Sequence, residues 1–125
     1  MIIDESVNVF GEKLLLCGDD PITGFFRDGV CNTCKDDMGS HTICVEASQD
    51  FLEYSRSRGN DLMTPIPEYN FSGVQAGDSW CLCAARWLEA QKNNMAPRVH
   101  LTRTHIKALE IVPMELLKKY AVDLN

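Results

Sequence analysis

The order of secondary-structure signals along this chain predicts an α+β fold: a small single domain over residues 1–125, with short, mostly antiparallel strands, three to four helices and two long ordered loops. Three observations carry that expectation. Strand-like and helix-like stretches do not alternate regularly, as a parallel doubly wound sheet requires. Periodicity stops over residues 18–40 and again over 59–78, where Gly, Pro, Asn and Asp gather. A chain of 125 residues, 45% apolar and 24% charged, also has the size and composition of one domain that buries its own core.

The elements follow from local pattern. "SVNVFG" and "KLLLC" read as two short strands divided at Gly11, with Val7 and Val9 on alternate positions. The first loop holds Ile22, Phe25, Phe26 and Val30, enough apolar surface to pin it down, and loops this long are commonly functional when ordered. "HTICVEA" alternates as a half-exposed strand. Ser48 then caps the helix "QDFLEYSRSR", which Gly59 ends in a left-handed conformation.

In the second loop Pro65 and Pro67 fix extended geometry. "SWCLCAARWLEAQKNN", 79–94, reads as a helix capped by Asp78 or Ser79, apolar nearly all round and hence buried in its first half. "RVHLTRT" alternates as a further strand. Thr104 caps a short helix with Ile106, Leu109 and Val112 inward, and Pro113 opens a last helix through Tyr120.

Charge and patterning exclude several functions. Twelve basic against eighteen acidic side chains give a net charge of -6, which argues against a nucleic-acid backbone or an anionic membrane as partner. Arg86, Lys92, Arg98, Arg103 and Lys107 collect over 86–107, as on a solvated face. The acidic start, "MIIDESVNVF", lacks the basic region and apolar core of a secretion signal, and no window approaches a membrane span. A cytoplasmic protein is expected, with its six cysteines as free thiols, metal ligands or reactive groups rather than structural disulfides.

Cys31, Cys34, Cys81 and Cys83 supply four thiols, the number a tetrahedral zinc site needs. Against zinc, Cys81 and Cys83 would point about 200° apart on a helix. A thioredoxin-like role for "CNTC" meets Asp36, Asp37 and Gly39 where a helix should begin. No metal or other cofactor is expected. A cysteine nucleophile needs a base, and the chain has three histidines. His100 and His105 read as exposed or capping imidazoles. His41 enters a strand at the end of the long loop, facing away from Cys44, so its partner must be Cys31 in the loop or Cys83 in the buried helix. Cys83 also reads as a small core thiol beside Trp80 and Trp87. Arg27, between glycines in "TGFFRDG", either pairs with a neighbouring aspartate or presents a guanidinium to a carboxylate or phosphate.

"DPITGFFRDGVCNT", "GSHTICVEAS", "FLEYSRSRGNDL", "GDSWCLCAARWLEA" and "THIKALEIVPMELLKKYA" together resemble the mainly bacterial family known as domain of unknown function 2237. The resemblance spans almost the whole chain. It implies a small stand-alone cytosolic protein and carries across no activity, cofactor or catalytic residue. Cys31, Cys44, Cys81 and Cys83 have counterparts in the family pattern, whereas glycine often stands at Cys34, which weakens zinc and redox roles alike.

The residues thus point to a site between the 18–41 loop and the 79–90 helix, binding a small anionic metabolite. Cys83 or Cys31 is the candidate nucleophile and His41 the base. Asp20, Thr23, Arg27, Asp28, Asn32, Ser40, Trp80, Arg86 and Trp87 are the candidate binding groups. The alternatives are a non-enzymatic structural or interaction protein, and a zinc protein using Cys31, Cys34, Cys81 and Cys83.

Overall fold

A computed structural model describes residues 3–124. Strand β1 (His41–Glu46) lies at the centre of a three-stranded antiparallel sheet, with β2 (Ser79–Cys83) on one side and β3 (Arg98–Val99) on the other. Helix α1 (Gln49–Ser57) follows β1, α2 (Ala84–Lys92) follows β2, and α3 (Met114–Lys118) closes the chain. The architecture is α+β, as the pattern predicts.

Several local expectations hold for the stated physical reasons. The Ser48 hydroxyl accepts the Phe51 amide and starts α1, and Gly59 follows the helix at φ 90°. Pro113 stands immediately before α3, where its missing N–H costs nothing. Helix α1 buries Phe51 and Leu52, and α2 buries Trp87, against Ile43, Val45 and Leu82 of the sheet. Trp87 donates its indole N–H to the Pro97 carbonyl at 3.1 Å and meets Tyr120 edge-on at 5.1 Å. It is a core residue, which removes it from the predicted binding groups.

Other expectations are corrected. The segment 79–94 is not one helix: its first five residues form β2, and the helix begins at Ala84 with neither Asp78 nor Ser79 as cap. The apolar run arises because β2 is covered on both faces, and a short run of that kind reads alike for strand and helix. The amino-terminal pair of strands reduces to single bridges, Val7 with Lys13 and Asn8 with His105. Beyond Val99 the predicted strand gives way to a 3₁₀ turn at Leu101–Arg103, because the Asp123 carboxylate captures the Leu101 and Thr102 amides. Asp123 is partly buried, which raises its pKa, but the hydrogen bonds from Thr102 and Leu101 outweigh burial and hold it below the usual carboxylate value. Thr104 does not cap the following 3₁₀ helix; its hydroxyl accepts the Cys44 amide, and His105 is the cap.

The cysteines depart furthest from expectation. Cys17 bonds to Cys44 and Cys31 to Cys81, leaving Cys34 and Cys83 as free thiols. Cys44 and Cys81 are cross-strand neighbours, so their side chains leave the sheet on one face, and each captures a cysteine of the irregular amino-terminal half. The four half-cystines form a small buried cluster separate from the main core. This excludes the zinc set Cys31, Cys34, Cys81 and Cys83, because two of its members are bonded to each other. It also leaves Cys31 without a thiol to act as nucleophile. Alkylation of the denatured, unreduced chain should modify two cysteines, Cys34 and Cys83, and full reduction should expose all six. Reduction should also lower stability by roughly 2–4 kcal/mol for each bridge, read by urea unfolding.

His105 is fully enclosed. Its Nε2–H donates to the Glu5 carbonyl at 2.8 Å and its Nδ1 accepts the Lys107 amide at 3.0 Å, which fixes the neutral tautomer. Burial pushes its pKa below 6.5, and burial does the same to His100. Because the unfolded chain then takes up protons first, the stability these histidines contribute is present above about pH 6.5 and is lost as the pH falls through their depressed values. Urea midpoints measured from neutrality down to about pH 5 should decline, and His105→Gln should flatten part of that slope.

Candidate functional site

β2 is an edge strand, and a cavity of about 390 Å³ runs along it. The long loop supplies Gly24, Phe25 and Arg27 to its lining, β1 supplies His41, and Asn60 and Leu62 come from beyond α1. Trp80 to Cys83 of β2 and Arg86 of α2 complete it.

A register change brings His41 to this place. Cys44, Val45 and Glu46 pair in regular order with Cys81, Trp80 and Ser79, but two residues of β1 are spent on one step of β2 between the pairs Ile43–Leu82 and His41–Cys83. Thr42 is therefore bulged. Without the bulge His41 would project with Ile43 into the core; with it, His41 joins Cys83 on the face that carries Cys44 and Cys81. Strict alternation predicted the opposite face, and a bulge leaves no mark in that pattern. Ser40 precedes it at φ 48°, and its carbonyl accepts the amides of Thr42 and of Ala84, the first residue of α2. That second bond ties His41 to the junction at Cys83.

Asp37 sets the imidazole. Its side chain is fully buried, its Oδ2 accepts the Thr33 hydroxyl and the His41 amide, and its Oδ1 lies 2.7 Å from His41 Nδ1. A carboxylate only accepts, so Nδ1 carries a proton, and in the neutral form of the ring the lone pair is on Nε2. The His41 side chain is 41% exposed and stacks on Phe25 at 6.3 Å. Gly39 leaves room for the ring: a Cβ there would stand 2.8 Å from His41 Cε1, and the imidazole would have to shift. Asp37 is absent from the sequence-predicted set, although a carboxylate four residues before a histidine is a readable signal.

The cations are placed separately. Arg27 sits at φ 55° in the turn between Gly24 and Gly29, with its guanidinium 5.3 Å above the Trp80 ring. The Arg27 amide donates to the Gly24 carbonyl, and Gly24 tolerates no side chain because the Val30 carbonyl would lie 2.5 Å from it. Arg86 gives one N–H to the Arg58 carbonyl at the end of α1 and lies 3.6 Å from Glu89. Cys83, partly exposed, immediately precedes α2 at its N-cap position.

The remaining predicted residues serve the loop. Thr23 is buried, with its hydroxyl accepting the Cys81 amide at 2.8 Å on the free edge of β2. Asp28 accepts the Val30 amide and the Asn32 side chain, and Asn32 in turn accepts the Ser6 hydroxyl. Ser40 bonds toward Thr42. Asp20 is exposed at the Asp20–Pro21 bond and does not line this cavity.

A family model matches residues 7–121, every cavity residue included. The chain belongs to that family, described as "Uncharacterized protein conserved in bacteria (DUF2237)". No curated protein matches it. Among the described residues of this family member, no helix is long and apolar enough to cross a membrane.

The two free thiols differ in access. Cys34 is buried and Cys83 is partly exposed beside the cavity, so a limiting dose of iodoacetamide on the folded protein should label Cys83 first. Peptide mapping by mass spectrometry reads the order.

Proposed function

We propose that this cavity binds a small anionic metabolite and that Cys83 acts on it as a thiol nucleophile, with His41 as general base. The single observation that supports this most directly is the pairing of His41 with Cys83 across the β1–β2 edge, with the imidazole held at its Nδ1 by the buried Asp37. In this reading Nε2 takes the thiol proton, Asp37 stabilises the imidazolium, and the proton returns to the leaving group. Arg27 and Arg86 are the anchors for negative charge, and Trp80 is the floor.

The sequence also predicted a cytoplasmic setting. We retain it as part of the proposal, since both disulfides are buried and so shielded from a thiol pool that would otherwise reduce them. The rival reading, a non-enzymatic scaffold, draws support from Thr23, Asp28 and Asn32, whose polar groups are consumed inside the loop.

Iodoacetate and iodoacetamide separate the readings, since both modify a thiol and only one carries a carboxylate. Relative to free cysteine, Cys83 should favour iodoacetate by about tenfold, and Arg27→Gln should remove the preference. His41→Ala should slow both reagents by at least about tenfold with the melting temperature little changed. Rates that ignore both substitutions would leave the scaffold reading standing.

A further inference from the structure

A second concavity of about 660 Å³ adjoins the first and shares Arg27, Leu62 and Trp80 with it. Its character is different. Pro21, Ile22, Ile66, Tyr69 and Phe71 supply most of the rest of its wall. Ile22 is 45% exposed, Ile66 36% and Tyr69 80%, an unusual concentration of water-facing apolar side chains on one concave surface.

The wall is built, not collapsed. Asp61 accepts the Met63 and Thr64 amides and the Thr64 hydroxyl, and these bonds, the Thr64 hydroxyl first, hold its carboxyl below the usual range. Ile66 and Phe71 pair around a 3₁₀ turn at Pro67–Tyr69, with Asn70 left-handed at φ 53°. Gly73 closes the loop where any side chain would strike the Met63 carbonyl, at 2.3 Å. Phe71 then leans on Trp80 at 5.5 Å. The loop is thus fixed by its own hydrogen bonds and close backbone contact, so the apolar side chains keep an open hollow beside Trp80.

We infer that the substrate is an amphiphilic acyl compound, with its reacting carbonyl in the polar cavity at Cys83 and its apolar acyl chain in the hollow behind Trp80 and Arg27. This rests on the reading of Cys83 as a nucleophile and adds the substrate class. In the step it predicts, the Cys83 sulfur bonds to the acyl carbon and the bond from that carbon to the leaving group breaks. The thiol proton passes through His41 to the leaving group, or to solvent when that group is a weak base. Water then hydrolyses the thioester, releasing the carboxylic acid and restoring the thiol, so no oxidant or cofactor is consumed. The Arg27 guanidinium stands where the two hollows meet, 5.3 Å over the Trp80 ring, so that Trp80 borders the chain and Arg27 the head.

The test compares p-nitrophenyl octanoate with p-nitrophenyl acetate on the full chain, reading p-nitrophenolate release and the acyl adduct on Cys83 by mass spectrometry, with Cys83→Ala as blank. The octanoyl ester should react at least about tenfold faster than the acetyl ester, after correction for the same ratio with free cysteine. Ile66→Asp, at a partly exposed position, should bring that ratio close to one. Equal corrected rates for the two esters would overturn the acyl-chain inference while leaving the nucleophile in place. If neither ester modifies Cys83, the nucleophile reading fails, and tryptophan fluorescence titrated with octanoate decides the hollow: saturable quenching lost in Ile66→Asp supports it as a chain site, and no quenching overturns it.

Discussion

The structure depends on how an irregular segment of more than twenty residues is held against a sheet. Residues 18–40 form no regular helix or strand, so they contribute few of the repeated backbone bonds that hold an element in place. Two covalent links replace them. They reach the sheet at Cys44 and Cys81, which face each other across adjacent strands, so both anchors fall at one point near the middle of β1. Thr23 adds a third tie by capping the Cys81 amide on the free edge, which also blocks that edge from pairing with another chain. From those fixed points the loop extends Arg27 and Phe25 over the end of the strands.

The polar groups of the site divide by what they satisfy. Asp37, buried and bonded to the Thr33 hydroxyl, the His41 amide and the His41 ring, is a polar group whose burial is compensated locally. That anchorage passes to the imidazole through Nδ1. Arg86 is partly committed to the end of α1, whereas Arg27 rests on an aromatic face and keeps its donors for a visitor. A bound anion would complete this arrangement without displacing any internal bond of Arg27 among the described residues.

Much of this was legible beforehand. The cap at Ser48, the left-handed Gly59 and the strand at 41–46 follow from short-range chemistry, and the sequence signals for them are local. His41, Cys83, Arg27, Trp80 and Arg86 lie in or beside the loop and the segment that the sequence pattern sets together, and the fold brings these five around one cavity. Their relation was not legible. It depends on Thr42 being an extra residue in the ladder, a choice made by the Ser40 carbonyl and the junction at Ala84, far along the chain. The disulfides were not legible because an expected reducing compartment favours free thiols, and compartment says nothing about which cysteines a fold brings within bonding reach. The strand at 79–83 was missed because burial on both faces removes the alternation by which strands are recognised.

The cystine cluster and the main core are separate, and this gives the molecule two parts of unequal cohesion. One is a sheet with helices on it, held by apolar packing that owes nothing to oxidation state. The other is a shell of turns whose shape is contingent on two sulfur bonds. Cys83 belongs to the first and Arg27 to the second, so the cavity is a seam between a permanent half and a conditional one. In a reduced chain Cys83 and His41 would keep their places on the strands, while the turn that carries Arg27 would come adrift.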